Sequence, residues 1–177
     1  MRSIRGYGRW ATAWNLTPLA ASLCIAVAVP AARPVAAAAP EVQVRLVAPA
    51  RLAAGAKGTV AVEMELGRGW HVNSHMPSHE YLVPTTLDLT ASSGTLSAVR
   101  YPSHVARRFE FADEPIAVYD GAVRFEAELA VPESAGGEIV VDAVLGYQAC
   151  DDHQCYPPAR KTLTTAVPVV GRRSRVR

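Results

Sequence analysis

Alternation limits the fold of this chain more than any other feature. Val60, Val62, Met64 and Leu66 alternate with Ala61, Glu63 and Glu65, and Val123, Phe125, Ala127 and Leu129 alternate with Arg124, Glu126 and Glu128. Successive side chains of a strand point to opposite faces, so each run offers one face to a core and one to water. No stretch carries a sustained helical period. Turn signals rich in Gly, Ser, Asp and Pro separate the runs at 54–58, 67–69, 92–94, 120–121 and 134–137. Further strands are expected at 42–47, 85–90, 95–101, 116–119, 139–149 and 156–167. Pro84 precedes one of them, a place where proline costs no ladder hydrogen bond. Many short strands split by turns predict an all-β sandwich.

The ends of the chain read differently. Residues 1–15 carry Arg2, Arg5 and Arg9 and no acid, residues 16–29 are an apolar run with one proline, and residues 36–39 are alanines. A basic start, an apolar middle and small residues at the end describe a secretory signal peptide, with cleavage expected near Ala38 or Ala39. The apolar run falls short of the roughly 20 residues a membrane span needs, and no later segment reaches that length. Leu23 before Cys24 argues against lipidation. The expected organisation is a signal peptide at 1–39, one domain at 40–170 and a basic tail at 171–177. The whole chain of 177 residues has formal charge +2. Without residues 1–39 it keeps 14 of its 18 basic residues against 16 acidic ones. Four of those 14, Arg172, Arg173, Arg175 and Arg177, crowd the tail. The domain is therefore mildly acidic, which speaks against nucleic-acid binding.

Two of the three cysteines, Cys150 and Cys155, remain in the mature chain, inside the stretch YQACDDHQCYPP at 147–158. If the flanking segments are strands, the four residues between the cysteines form a hairpin loop. Opposed residues of an antiparallel pair have Cα atoms roughly 4.5 to 5.5 Å apart, within disulfide range. Three readings are open at this point. The pair is a structural staple, worth about 2 kcal/mol for so small a ring. It is a redox-active couple with reachable sulfurs. Or it binds metal together with His153. His153 would favour a thiolate when protonated, whereas Asp151 and Asp152 would oppose one.

His71, His75 and His79 recur every fourth residue with Met76 among them, a set that suits copper if it converges. Pro77 argues against the helix that would align them. Copper handling stands as an alternative function, and a non-catalytic exported binding domain as another. No P-loop, dinucleotide fingerprint or Ser/His/Asp arrangement stands out, and no cofactor is expected.

The segment YQACDDHQCYPPARKTL resembles the signature of the N-terminal periplasmic domain of the thiol:disulfide interchange protein DsbD family. GWHVNSHMPSHEYLVPTTLDL at 69–89 and FEFADEPIAVY at 109–119 are further, weaker matches. The resemblance implies an immunoglobulin-like sandwich whose C-terminal hairpin carries the cysteine pair. It implies a thiol:disulfide oxidoreductase, with Cys150 and Cys155 shuttling between dithiol and disulfide. Thioredoxin-like periplasmic proteins would accept the electrons. Because no membrane helices follow the domain in this sequence, the donor is expected to be a separate membrane protein. An aromatic cap would cover the pair, with Glu110–Phe111 as the matching residues and Phe109 as the other candidate. Tyr147 matches the tyrosine before the first cysteine. Cys155 is favoured as the residue that exchanges with partners. The best-known members of the family place one more residue between the cysteines than the four seen here.

Overall fold

The structure, a computed structural model, describes Pro40 and residues 42–110 and 112–171. The expected signal peptide, the cap residue Phe111 and the tail beyond Gly171 lie outside the described residues. Among the described residues there are twelve strands and no helix, so no helix there is long and apolar enough to cross a membrane.

Two sheets carry the main core. The first has β1 (Val42–Val47), β3 (Lys57–Leu66), β9 (Ala122–Ala130) and the two-residue β6 (Thr95–Leu96), all antiparallel. The second has β2 (Leu52–Ala53), β12 (Ala159–Val170), β10 (Gly137–Tyr147) and β5 (Thr86–Ala91), with β2 and β12 parallel. The alternation decides the facing. Val62, Met64, Val123 and Phe125 of the first sheet meet Leu87, Ala143, Leu145 and Tyr147 of the second in one core cluster. Val60 and Leu129 meet Ile139, Val141 and Val167 in another. The opposite face of the first sheet is a ladder of charges, with Glu63 between Arg45 and Arg124, and Glu126 between Arg124 and Arg100.

A third, smaller sheet holds β11 (Ala149–Cys150), β4 (His71–Asn73), β8 (Ile116–Asp120) and β7 (Val105–Arg107) in that order. The chain enters it from both large sheets. β3 leads into β4, β10 leads into β11, and β8 turns into β9 through Gly121, whose φ of 60° suits glycine. One face of this sheet gives Val72, Tyr119 and Ala149 to the main core. The other gives Ile116 and Val118 to a satellite core under Phe109, with Leu82 and Ala112 packed against it.

The expected strand at 95–101 shrinks to Thr95–Leu96 plus one bridge between Arg100 and Glu126. β2, β4 and β7 were not expected, because two or three residues are too few to show a period. The long hairpin is also shorter at its tip than the sequence suggests. The β10–β12 ladder runs from Gly137↔Val169 to Tyr147↔Ala159 and stops there. Beyond it, Gln148 faces two residues, Pro157 and Pro158, which have no N–H to donate. Pairing resumes one residue out of step, with Tyr156 N donating to Ala149 O at 2.9 Å.

Candidate functional site

That slip in register creates the tip on which the cysteines sit. Cys150 and Cys155 face each other in an isolated antiparallel bridge, with Cα atoms 4.0 Å apart, and are joined by a disulfide. Tyr156 N→Ala149 O and Asp151 N→Gln154 O, both 2.9 Å, frame the pair. Asp151 closes the loop: its Oδ1 accepts from the backbone N–H groups of His153 at 2.7 Å and Gln154 at 2.8 Å. Those two donors hold the Asp151 carboxyl below the usual carboxylate range.

The two cysteines differ sharply in access. Cys150 is 1% exposed, whereas Cys155 is exposed. Cys150 belongs to β11 and is pinned by its ladder to β4. Cys155 hangs on the outer side of the tip, beside Tyr156. The Tyr156 ring meets Trp70 edge-on at 5.1 Å, and its carbonyl accepts from Gln148 Nε2 at 3.0 Å.

Across the small sheet the partners form a row. Cys150 is opposite His71, and His71 is opposite Asp120. Directly opposed residues share a face, with Cβ atoms about 4.5 to 5.5 Å apart. His71 and Cys150 therefore leave the small sheet on the same face, the one turned away from the main core. Phe109 covers the His71 imidazole, with the two rings stacked at 4.6 Å. His71 is 2% exposed, and its Nδ1 is buried with no hydrogen-bond partner among the described residues. Burial lowers the pKa of His71, helped by the nearby Arg107 charge and opposed by Asp152, Asp120 and Asp151.

Arg107 ties the covering segment to the cysteine loop. Its guanidinium lies 5.3 Å from the centre of the Phe109 ring, 3.1 Å from Asp152 Oδ1 and 3.8 Å from Asp120 Oδ2. Of the residues singled out for the cap, Phe109 is thus buried over His71, and Glu110 is exposed at the turn that follows. Tyr147 lies in the main core cluster, and burial raises the pKa of its hydroxyl.

The histidine series does not converge. His71 lies under Phe109. His75 Nδ1 is 2.6 Å from the Tyr119 hydroxyl and its ring stacks on Tyr101 at 4.2 Å. His79 stacks on Tyr81 at 5.2 Å. Met76 is exposed. Among the described residues no three His, Cys, Asp or Glu side chains gather as a metal set. Spacing alone singled out His71 as one member of a possible copper set. Its place opposite Cys150, and the link from Arg107 to Asp152, leave no trace in spacing.

Fold and site together define an immunoglobulin-like β-sandwich domain with an asymmetrically buried disulfide at a hairpin tip. Residues 42–167 match the family described as thiol:disulfide interchange protein DsbD, N-terminal, and the chain belongs to that family. Among solved structures it is similar to the N-terminal periplasmic domain of ScsB from Proteus mirabilis, at 22% identity and TM-score 0.50. That likeness covers 70% of this chain and 45% of the other, so the chain spans less than half the length of that relative. The DsbD N-terminal domain of Neisseria meningitidis in its reduced form matches at 18% identity and TM-score 0.44, over 65% of this chain and 82% of the other. The same organism's complex of the DsbD and PilB N-terminal domains matches at 16% identity and TM-score 0.43, over 67% and 80%. No curated protein matches the chain in sequence.

Proposed function

We propose that the domain works in the periplasm as a thiol–disulfide relay, taking electrons from a separate membrane donor and passing them through Cys150 and Cys155 to thioredoxin-like proteins. The signal-peptide pattern of residues 1–39 supports export, with domain 40–170 as the working part. The unequal exposure of the two cysteines carries the reading, within a family named for thiol–disulfide interchange.

Exchange requires a thiolate to approach one sulfur of a disulfide. Cys155 is the accessible residue, so the donor's thiolate attacks Cys155 Sγ and Cys150 leaves with the electron pair. A second donor thiolate then attacks the donor sulfur of the mixed disulfide, the donor's own disulfide forms, and Cys155 leaves as a thiolate. In the forward step the Cys155 thiolate attacks a partner disulfide, and Cys150 then resolves the mixed disulfide. Phe109 and Glu110 form the rim that a partner must displace or pass, and the resemblance to the family adds Phe111 to that cap. Tyr147 supports the hairpin from the core side.

Two measurements test this. Equilibrated against a thiol buffer, the folded domain should show a potential above about −300 mV, the range of exchanging rather than structural disulfides. Cys150→Ser should accumulate a mixed disulfide with a thioredoxin-like partner, and Cys155→Ser should not. A bond that is reduced only when the domain unfolds would leave a stapled binding domain instead.

A further inference from the structure

The satellite core under Phe109 contains one group that packing does not explain. A histidine there could be replaced by an apolar ring of similar size without leaving a buried polar atom unpaired, an omission that ordinarily costs stability. His71 instead keeps Nδ1 without a hydrogen-bond partner among the described residues, although the residue is only 2% exposed, on the side of the small sheet that carries Cys150.

We propose that His71 is the proton acceptor and donor for Cys150 during exchange, with Nδ1 as the working nitrogen. The inference rests on the relay reading given above. In the mixed disulfide between Cys155 and a partner, Cys150 carries a buried thiol. Its proton passes to His71 Nδ1, and the Cys150 thiolate attacks Cys155 Sγ. The Cys150–Cys155 bond forms, and the bond between Cys155 and the partner breaks. Its electron pair leaves on the partner's sulfur, which is protonated from water. In the reverse direction an incoming thiolate bonds to Cys155 Sγ, Cys150 departs with the electron pair, and His71 returns the proton to it.

The surroundings fit this role. A buried thiol ionises poorly, so resolution by Cys150 needs a neighbouring base. A base must be neutral before it acts, and burial together with Arg107 shifts His71 toward its neutral form. Once a proton arrives, Asp120 on β8 and Asp151 and Asp152 in the cysteine loop favour the cation, against Arg107 on β7. Phe109 closes the site from above and keeps bulk water from supplying the proton instead.

The test uses the reduced domain and the disulfide reagent dithionitrobenzoate. Cys155 releases one equivalent of nitrothiobenzoate in a first phase, and Cys150 releases the second by resolving the adduct. In His71→Gln the second phase should slow at least about tenfold near neutral pH, in keeping with the loss of a general base, and its pH profile should reduce to one thiol ionisation. The first phase should stay within about twofold, because Cys155 does not use the base. A second phase with unchanged rate and pH profile would overturn the assignment. Imidazole resonances of the unmutated domain give a reading that does not depend on the variant folding. The pH midpoint of His71 should differ between disulfide and dithiol forms, and identical titrations would overturn the proposal. A disulfide that resists reduction in the folded domain would sink the relay itself. A reducible pair with an unaltered second phase would sink only the role of His71.

Discussion

Reducing the disulfide should lower the stability of the domain modestly and leave it folded. Cys150 and Cys155 are five residues apart, so the bond closes a ring of six residues. In the chain-entropy account such a ring limits the unfolded chain by about 2 kcal/mol at 25 °C. The native side of the balance changes little. The Cys150 thiol stays where it is buried and behaves as a small apolar side chain. The hydrogen bonds that frame the tip, Tyr156 N→Ala149 O and Asp151 N→Gln154 O, do not involve the sulfurs. A domain of about 130 residues unfolds with an entropy near 0.27 kcal/mol/K, so about 2 kcal/mol corresponds to a fall in melting temperature of about 7 °C. Thermal melts followed by circular dichroism, with and without a phosphine reductant, measure this directly. A fall beyond about 20 °C, or unfolding at 25 °C on reduction, would refute the reasoning, because the ring entropy cannot supply so much. The bond would then be holding native contacts together, which suits a staple and not a carrier that must survive both states.

Three smaller outcomes follow from named contacts. Arg107→Ala removes a partly exposed ion pair worth about 0.2–1 kcal/mol, so reduction of the disulfide by a small thiol should quicken by up to about fivefold at low salt, with less effect at high salt. An unchanged rate at low salt would mean that the Arg107–Asp152 pair does not hold the cover in place. Burial depresses the His71 pKa below its usual value near 6.5, so between those two values the unfolded chain binds more protons than the native one. Stability from this group is therefore present above about pH 6.5 and lost as pH falls, and His71→Gln should flatten the slope of urea stability between about pH 5 and 7. Gly94→Ala should cost more than about 1 kcal/mol in urea melts, because the φ of 90° disfavours any side chain and the new Cβ would lie 2.6 Å from the Ala130 carbonyl oxygen.

Much of the large sandwich was legible because its information is local. The alternation in Val60–Leu66 and Val123–Leu129 names the core face without knowledge of the partner strand, and burial follows it through β9 and, except at Ala61, which is buried as well, through β3. Short strands escaped the same test. His71–Asn73 is buried at all three positions, because both faces of β4 are covered, and so it shows no alternation to read. The segment 95–101 misled for the converse reason. Its apolar residues include Val99 and Tyr101, which pack on the main core from a largely unpaired segment rather than from a strand.

The same division runs through the site. By itself the sequence determined that two cysteines lie with four residues between them, flanked by strand-like segments, and that prolines follow the second. Hairpin geometry then brings the sulfurs together, because chain connectivity alone keeps them near. Only the tertiary structure decided that Cys150 is buried and Cys155 exposed, since that depends on the slip in register past Pro157 and Pro158 and on the pairing of β11 with β4. Only it placed His71 opposite Cys150, and Arg107 against Asp152. These partners are far apart along the chain, and the register that joins them is set by how three sheets pack, a property no local pattern encodes.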